Sequence, residues 1–166
     1  MVAVPLSIEA ARAVLAAIPD PEIPVISITE LGIVREVKVH GATVEVTITP
    51  TYSGCPAMHA IEEDVVARLR EAGFSAVSVR TALAPAWTTD WIEEAARERM
   101  REWGIVPPQP SRGLDAHRVH IFSRSIACPR CASANTERLS EFGSTACKAM
   151  YRCIDCREPF DYFKPL

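Results

Sequence analysis

The residues best suited to chemistry are cysteines, and five of the six lie between residues 128 and 156. Four of them form the pairs Cys128-Pro-Arg-Cys131 and Cys153-Ile-Asp-Cys156, with 21 residues between the pairs. Each Cys-x-x-Cys turn directs two sulfurs at one ion, so two turns supply four thiolates for a tetrahedral site. The spacing is close to that of zinc ribbons and predicts a structural zinc ion. Iron is the main competitor, and disulfides or a redox pair are further alternatives.

The fifth cysteine of this segment, Cys147, lies six residues before Cys153. It has no Cys-x-x-Cys partner, so three interpretations are open. It faces inward as a small apolar residue, it is a free thiol beside the metal, or it is an auxiliary ligand.

The remaining cysteine, Cys55, lies between a predicted strand and a predicted helix in the segment Thr49-Pro-Thr-Tyr-Ser-Gly-Cys-Pro56. Pro suits the first helical position, which predicts Cys55 as the N-cap. The helix dipole and unpaired N–H groups would then favour its thiolate. His59 follows at i,i+4 as a candidate auxiliary ligand. The alternatives are a half-buried capping cysteine and a solvated histidine.

A second polar cluster is Asp20-Pro21-Glu22. Carboxylates held by flanking prolines are able to reach a metal or a basic partner. They are equally able to cap their own loop and the turn at Ser27 to Leu31. No nucleophile elbow, phosphate-binding loop or dinucleotide fingerprint is present in the sequence. We therefore expect a binding, transfer or assembly protein rather than an enzyme.

The elements that must position these residues follow from hydrophobic periodicity. The pattern predicts an α/β fold, a small α-β-β-α-β-α sandwich with a C-terminal zinc-ribbon-like β unit. The predicted domains are 1–106 and 118–166, joined by a proline-containing linker at 107–117. The predicted helices are Ser7 to Ala17, Ala57 to Ala72 and Thr89 to Trp103. The predicted strands are Ile33 to His40, Ala42 to Thr49, Ala76 to Thr81, Val119 to Phe122 and Thr145 to Tyr151.

Composition restricts the class of protein further. Hydrophobic residues make up 48% and charged residues 23% of the chain, an ordinary globular balance. No apolar run is long enough for a membrane span, and the N-terminus lacks the basic region of a secretory leader. We expect a cytoplasmic protein. Residues 1–107 carry nine basic and fifteen acidic groups, and residues 108–166 carry nine and six. The tail is too weakly basic to indicate nucleic-acid binding.

Several segments together resemble known families. The segments Asp20 to Val34, Thr49 to Pro56 and Pro85 to Trp87 resemble the MIP-type domain of iron–sulfur assembly factors such as SufT. Further segments extend this likeness: Trp87 to Ile92, Trp103 to Pro108, the four-cysteine ribbon and the ending Glu158 to Lys164. With them, nearly the whole chain resembles the PaaD family of aerobic phenylacetate degradation.

The resemblance implies an accessory subunit of the multicomponent phenylacetyl-CoA epoxidase, with its di-iron oxygenase and iron–sulfur reductase subunits as partners. It implies that Cys55 is the signature cysteine, that Asp20 and Glu22 form the acidic motif, and that the four ribbon cysteines bind metal. We expect assembly or delivery of an iron or iron–sulfur centre. One cysteine cannot hold a four-thiolate cluster, so we expect a homodimer. The alternatives are a structural docking role, an electron carrier with iron in the ribbon and, last, a nucleic-acid-binding ribbon.

Overall fold

The computed structural model describes residues 6–52, 54–108 and 126–165. Within these ranges the chain forms two compact units. The first runs to Trp87 and includes Trp91–Glu93, and the second contains Thr88–Asp90 and the residues from Glu94 onward. The domain bounds 1–106 and 118–166 stay a prediction. Of the predicted linker, 109–117 lies outside the described residues.

A three-stranded sheet forms the centre of the first unit. Its strands are β1 (Val34–His40), β2 (Thr43–Ile48) and β3 (Ala76–Thr81), in the order β1-β2-β3. β1 and β2 are antiparallel and joined by a tight turn at Gly41, whose φ is 60°. β2 and β3 are parallel, so the chain segments that follow them leave the sheet at the same edge.

Two helices cover this sheet. α1 (Ile8–Ala16) packs on β1, α2 (Ala57–Glu71) packs on β3, and the helices contact each other. The predicted cap of α1 is confirmed, because Ser7 Oγ accepts a hydrogen bond from the Ala10 N–H at 3.2 Å. The helical spacing read from the sequence is also confirmed: the buried residues of α2 are Ile61, Val65 and Leu69.

The predicted helix from Thr89 to Trp103 is wrong in its length. The structure has a one-turn 3-10 helix at Thr89–Trp91 and then α3 (Glu94–Glu102). The break occurs because the Glu93 N–H donates to the Glu30 carbonyl rather than within a helix. Trp103, predicted as the last residue of this helix, lies beyond α3 and is 61% exposed.

The second unit contains a four-stranded sheet. The predicted strand at Thr145 to Tyr151 begins later than expected, because the Lys148 N–H closes a turn onto the Thr145 carbonyl. The predicted strand at Val119 to Phe122 lies outside the described residues. The observed strands are β4 (Ile105–Val106), β5 (Thr136–Ser140), β6 (Lys148–Cys153) and β7 (Pro159–Phe163). Their order in the sheet is β4-β7-β6-β5.

The α/β fold class, with a four-cysteine β unit after it, is confirmed. No helix among the described residues is long and apolar enough to cross a membrane.

Candidate metal centre and thiol site

The structure brings together the four cysteines of the two Cys-x-x-Cys pairs. Their Sγ atoms all lie within 4.8 Å of one another. Between the pairs, the Sγ atoms of Cys128 and Cys156 are 3.7 Å apart, and those of Cys131 and Cys153 are 3.5 Å apart. Sulfurs placed tetrahedrally at about 2.3 Å from zinc lie about 3.8 Å apart. The four thiols are unbridged, and their spacing fits a tetrahedral metal ion.

Both Cys-x-x-Cys turns have the same backbone form. The Cys128 N–H donates to the Ser133 carbonyl at 2.9 Å, and the Cys153 N–H donates to the Glu158 carbonyl at 3.0 Å. The acceptor is five residues after the donor in each case. The residue after each pair has a left-handed φ, 60° at Ala132 and 65° at Arg157. These matching turns point the two pairs of sulfurs toward a common centre.

Cys153 and Cys156 do not hold their protons equally. Hydrogen bonding from the Cys156 backbone N–H lowers the pKa of Cys153 to about 7. The Glu158 N–H favours the Cys156 thiolate, but burial and the neighbouring thiols raise the pKa of Cys156 to about 12. Four adjacent thiolates repel one another, and a divalent cation bound among them would remove that repulsion. The donor set therefore fits zinc.

The hydrophobic core beside this group is small. Its buried members are Cys128, Cys153 and Phe160, with partly buried apolar residues packed around them. Two of these three buried residues thus belong to the four-thiol group. Cys131 and Cys156 are exposed, so the group has a buried side and a solvent side.

Cys147 lies outside this group of four. It is 3% exposed, and its Sγ lies 3.0 Å from the Thr145 hydroxyl oxygen. Among the three interpretations of Cys147, this placement matches the small inward-facing residue.

Cys55 follows β2 in a loop and is half-buried. The N-cap of α2 is Pro56 and the first helical residue is Ala57, so the prediction of Cys55 as the N-cap is wrong by one residue. The prediction of a thiolate is also wrong. Burial has the largest effect and raises the pKa of Cys55. The hydrogen bond from the Ala57 N–H lowers this pKa by less, and the Glu22 carboxylate raises it further.

The two carboxylates of the acidic loop, Asp20 and Glu22, have different surroundings. Asp20 is buried, and its Oδ1 accepts hydrogen bonds from the backbone N–H groups of Glu22 and Ile23, both at 2.9 Å. It caps its own loop, as one of the two sequence interpretations holds. Glu22 is near enough to Cys55 to act on its charge.

Two further residues flank the Cys55 loop in sequence. His59 is on α2 with its side chain 81% exposed, and its Nε2 lies 3.3 Å from Glu63 Oε1. This placement matches the solvated alternative. Thr49, directly after β2, is 2% exposed, and its hydroxyl has no hydrogen-bond partner among the described residues.

Sequence reasoning missed a capping box after the acidic loop. The Ser27 N–H donates to Glu30 Oε2 at 2.8 Å, and the Glu30 N–H donates to Ser27 Oγ at 3.2 Å. The Ser-x-x-Glu spacing was a visible signal for it. The box fixes the turn that connects the acidic loop to β1.

The tryptophans near the end of the first unit hold loops in place. Trp87 is buried, and its indole N–H donates to the Leu31 carbonyl at 3.0 Å. Arg35 stacks on the Trp91 ring at 3.4 Å from its centroid. Gly32 is required beside it, because a Cβ there would lie 2.6 Å from Trp91 Cβ. These residues position the loop after β3.

Family models match both parts of the chain. Residues 8–80 match the model described as iron-sulfur cluster assembly protein. Residues 116–164 match the model described as PaaD zinc beta ribbon domain. Cys55 falls in the first match and the four-thiol group in the second.

Two curated proteins are similar over different lengths. A protein of Escherichia coli (strain K12), named as a putative 1,2-phenylacetyl-CoA epoxidase subunit, is 54% identical over 156 residues, covering 92% of this chain and 89% of that protein. An "Fe-S protein maturation auxiliary factor" of Porphyromonas gingivalis is 38% identical over 90 residues, covering 52% of this chain and 81% of that protein.

Solved structures resemble part of the chain. The crystal structure of a Domain of Unknown Function, DUF59, from Bacillus anthracis has a TM-score of 0.52 and 26% identity, covering 55% of this chain and 89% of that one. A conserved hypothetical protein from Thermotoga maritima has a TM-score of 0.50 and 23% identity, covering 58% and 95%. The second likeness concerns the fold alone.

Proposed function

The chain belongs to the PaaD family of phenylacetyl-CoA epoxidase subunits, and on that premise we propose that it helps to assemble an iron or iron–sulfur centre of the epoxidase. In this proposal it is a cytoplasmic, non-catalytic accessory protein of the complex. Its partners are the oxygenase and reductase subunits, and its cargo is iron or a cluster bound transiently at Cys55.

The observation that carries the proposal is the distribution of the six cysteines, all of which lie in the described part of the chain. Four belong to the ribbon group, and Cys147 is buried. Cys55 is left as a partly accessible thiol, and it lies within the segment that matches the assembly-protein model. Ligand exchange with a client needs an accessible sulfur. Among these cysteines, Cys55 best meets that need outside the ribbon.

The surroundings of Cys55 suit a site that binds and releases its cargo. Its raised pKa keeps the thiol protonated at neutral pH, so iron must displace a proton when it binds. Glu22 is the nearby carboxylate able to act as an oxygen ligand or to accept that proton. The buried hydroxyl of Thr49, which has no hydrogen-bond partner in the described part of the chain, adds a polar group at the same end of β2. Asp20 keeps the acidic loop in shape through its two backbone hydrogen bonds.

A single Cys55 supplies too few thiolates for a cluster. We propose that a homodimer places two copies of Cys55 together or that a client ligand completes the site. Cross-linking of Cys55 between two chains by a short bifunctional thiol reagent would support the dimer.

We propose structural zinc for the ribbon, held by the two Cys-x-x-Cys pairs. With an ion bound, the four thiolates would fill a tetrahedral coordination sphere and leave no position for substrate. When bound, the ion would supply folding energy to the small cluster of Cys128, Cys153 and Phe160.

The test is Cys55→Ser, compared with Cys147→Ser, in cells whose only copy of the protein is the variant. We expect Cys55→Ser to lower epoxidase activity and the iron–sulfur content of the purified reductase, and Cys147→Ser to leave both unchanged. Normal cluster content with Cys55→Ser would refute the assembly role.

A structural docking role is the second candidate, favoured by apolar side chains exposed on the ribbon unit. Docking predicts a stable stoichiometric complex with the epoxidase subunits, retained after Cys55→Ser and weakened by Phe142→Ser. Size-exclusion chromatography of the mixed subunits distinguishes it from a transient assembly role. The exposed residues are Leu139, Phe142, Met150 and Ile154, with exposures of 49%, 60%, 39% and 41%.

A further inference from the structure

The two Cys-x-x-Cys turns are joined by side chains as well as by the predicted metal. The carboxylate of Asp155, in the second turn, accepts hydrogen bonds from Ser133 Oγ and, at 2.8 Å, from Asn135 Nδ2. The Asn135 N–H donates to the same Ser133 hydroxyl at 3.0 Å, and the Asn135 carbonyl accepts from the Ile154 N–H at 2.9 Å. We call Ser133, Asn135 and Asp155 the clamp.

The clamp is anchored in both turns. The Ser133 carbonyl accepts the hydrogen bond that closes the first turn at Cys128, while its hydroxyl reaches Asp155. Asp155 lies directly between Ile154 and Cys156 in the second turn. One residue of the clamp therefore belongs to each turn, and Asn135 bonds to both.

We propose that Asp155 is a positioning residue of the metal centre, which holds the two turns together and slows loss of the ion. The inference rests on the metal assignment proposed for the four thiols. Each turn carries two of the four sulfurs, so an ion can leave only after the turns separate or their sulfurs detach one by one. Hydrogen bonds between the turns oppose that separation and return a detached sulfur to its place.

The matching position in the first turn shows that this role is particular to Asp155. The third residue of the first pair is Arg130 and that of the second is Asp155. The two turns share a backbone form, and the carboxylate that accepts the hydrogen bonds of the clamp lies in the second turn. Arg130 is thus a matched control for a changed charge beside the metal.

The direction of the effect separates a clamp from a simple charge effect. Four thiolates and one divalent cation carry a net negative charge, which the Asp155 carboxylate repels. If charge alone mattered, removal of Asp155 would slow metal loss. The clamp predicts the opposite, because the turns separate more easily without it.

The experiment measures zinc transfer from the full zinc-loaded chain to excess 4-(2-pyridylazo)resorcinol, after metal analysis of the unaltered protein. We expect Asp155→Ala to release zinc about tenfold faster. Asp155→Asn retains an acceptor oxygen and should give an intermediate rate. Ser133→Ala should speed release less. Adding it to Asp155→Ala should have a smaller effect than Ser133→Ala alone, because the Ser133–Asp155 hydrogen bond is already broken and only the Asn135 N–H bond to Ser133 is newly lost.

The control is Arg130→Gln, for which we expect a rate within about twofold of the unaltered chain. Release from Asp155→Ala that is unchanged or slower, with zinc present in the unaltered protein, would overturn the inference alone. A full chain that binds no metal at this site would overturn the metal assignment and the inference together. If Asp155→Ala cannot be purified with zinc, the rates of Asp155→Asn and Ser133→Ala decide.

Discussion

The two units use cysteine in opposite ways, and the difference follows from how each is stabilised. The first unit has a large apolar core: Ile48, Ile61, Val65 and Leu69 are each at most 1% exposed. Its one described cysteine, Cys55, is half-buried in a loop outside that core. In the ribbon, Cys128 and Cys153 are themselves core residues beside Phe160.

This contrast indicates that the size of the surrounding apolar core determines whether a cysteine has a structural role or is available for exchange chemistry. A unit that buries enough apolar surface does not need its thiol for stability, so the thiol is available for exchange chemistry. A small unit without such a core needs metal bonds to offset the entropy of folding. We infer that Cys55 is the functional cysteine and that the ribbon cysteines are structural.

The largest expected effect comes from removing a ribbon ligand. Cys153→Ser should unfold the ribbon, because structural zinc contributes about 10–16 kcal/mol in small zinc domains. The first unit should remain folded. Hydrogen exchange followed by mass spectrometry checks both units, with Cys147→Ser as the control. Full protection of β6 and β7 in Cys153→Ser would contradict the contrast.

A core truncation in the first unit should destabilise that unit and leave the zinc in the ribbon. Ile48→Ala should lower the free energy of unfolding of that unit by about 2–5 kcal/mol, since Ile48 is fully buried in β2. Urea denaturation followed by tryptophan fluorescence measures it, because Trp87 is buried in the first unit. Zinc content should not change. If Ile48→Ala lost its zinc as the first unit unfolds, the two units would not be independently stabilised.

Replacing the thiol of the first unit should cost little stability. For Cys55→Ser we expect a change of less than about 1 kcal/mol in the free energy of unfolding, because the side chain is half-buried and lies in a loop. The same urea titration measures it. A cost comparable to that of Ile48→Ala would mean that Cys55 is a structural residue.

The smallest expected effect concerns the pKa of Cys55. Glu22 disfavours the thiolate, so Glu22→Gln should lower the pKa of Cys55 and raise its alkylation rate by iodoacetamide at a given pH below that pKa. The shift should be modest, because burial is the larger cause. In the unaltered chain the rate should rise through the alkaline range. An unchanged rate–pH curve for Glu22→Gln would place Glu22 out of reach of Cys55.

Sequence patterns predicted the parts of the molecule that depend on local order. Strict alternation identified β2, and helical spacing identified α2, because each buries one face. The Cys-x-x-Cys spacing predicted the convergence of four sulfurs. The short strands β5, with the sequence TERLS, and β7, with the sequence PFDYF, gave no comparable periodic signal.

Features that depend on contacts between residues far apart in the chain could not be predicted from local sequence patterns. The Glu93–Glu30 hydrogen bond that splits the last predicted helix joins residues far apart in the chain. The pKa of Cys55 depends on burial, which only the folded unit defines, so the local dipole argument gave the wrong sign. The clamp at Asp155 likewise needs Ser133, 22 residues away.

The most direct test of the division between the two units is the zinc and iron content of the full chain purified without oxygen, alone and as Cys55→Ser and Cys128→Ser. We predict about one zinc per chain in the unaltered protein and in Cys55→Ser, and its loss in Cys128→Ser. Any iron bound to the unaltered protein should be lost in Cys55→Ser. Iron with a visible absorption band that persists in Cys55→Ser and disappears in Cys128→Ser would contradict the account and make the ribbon the cofactor site.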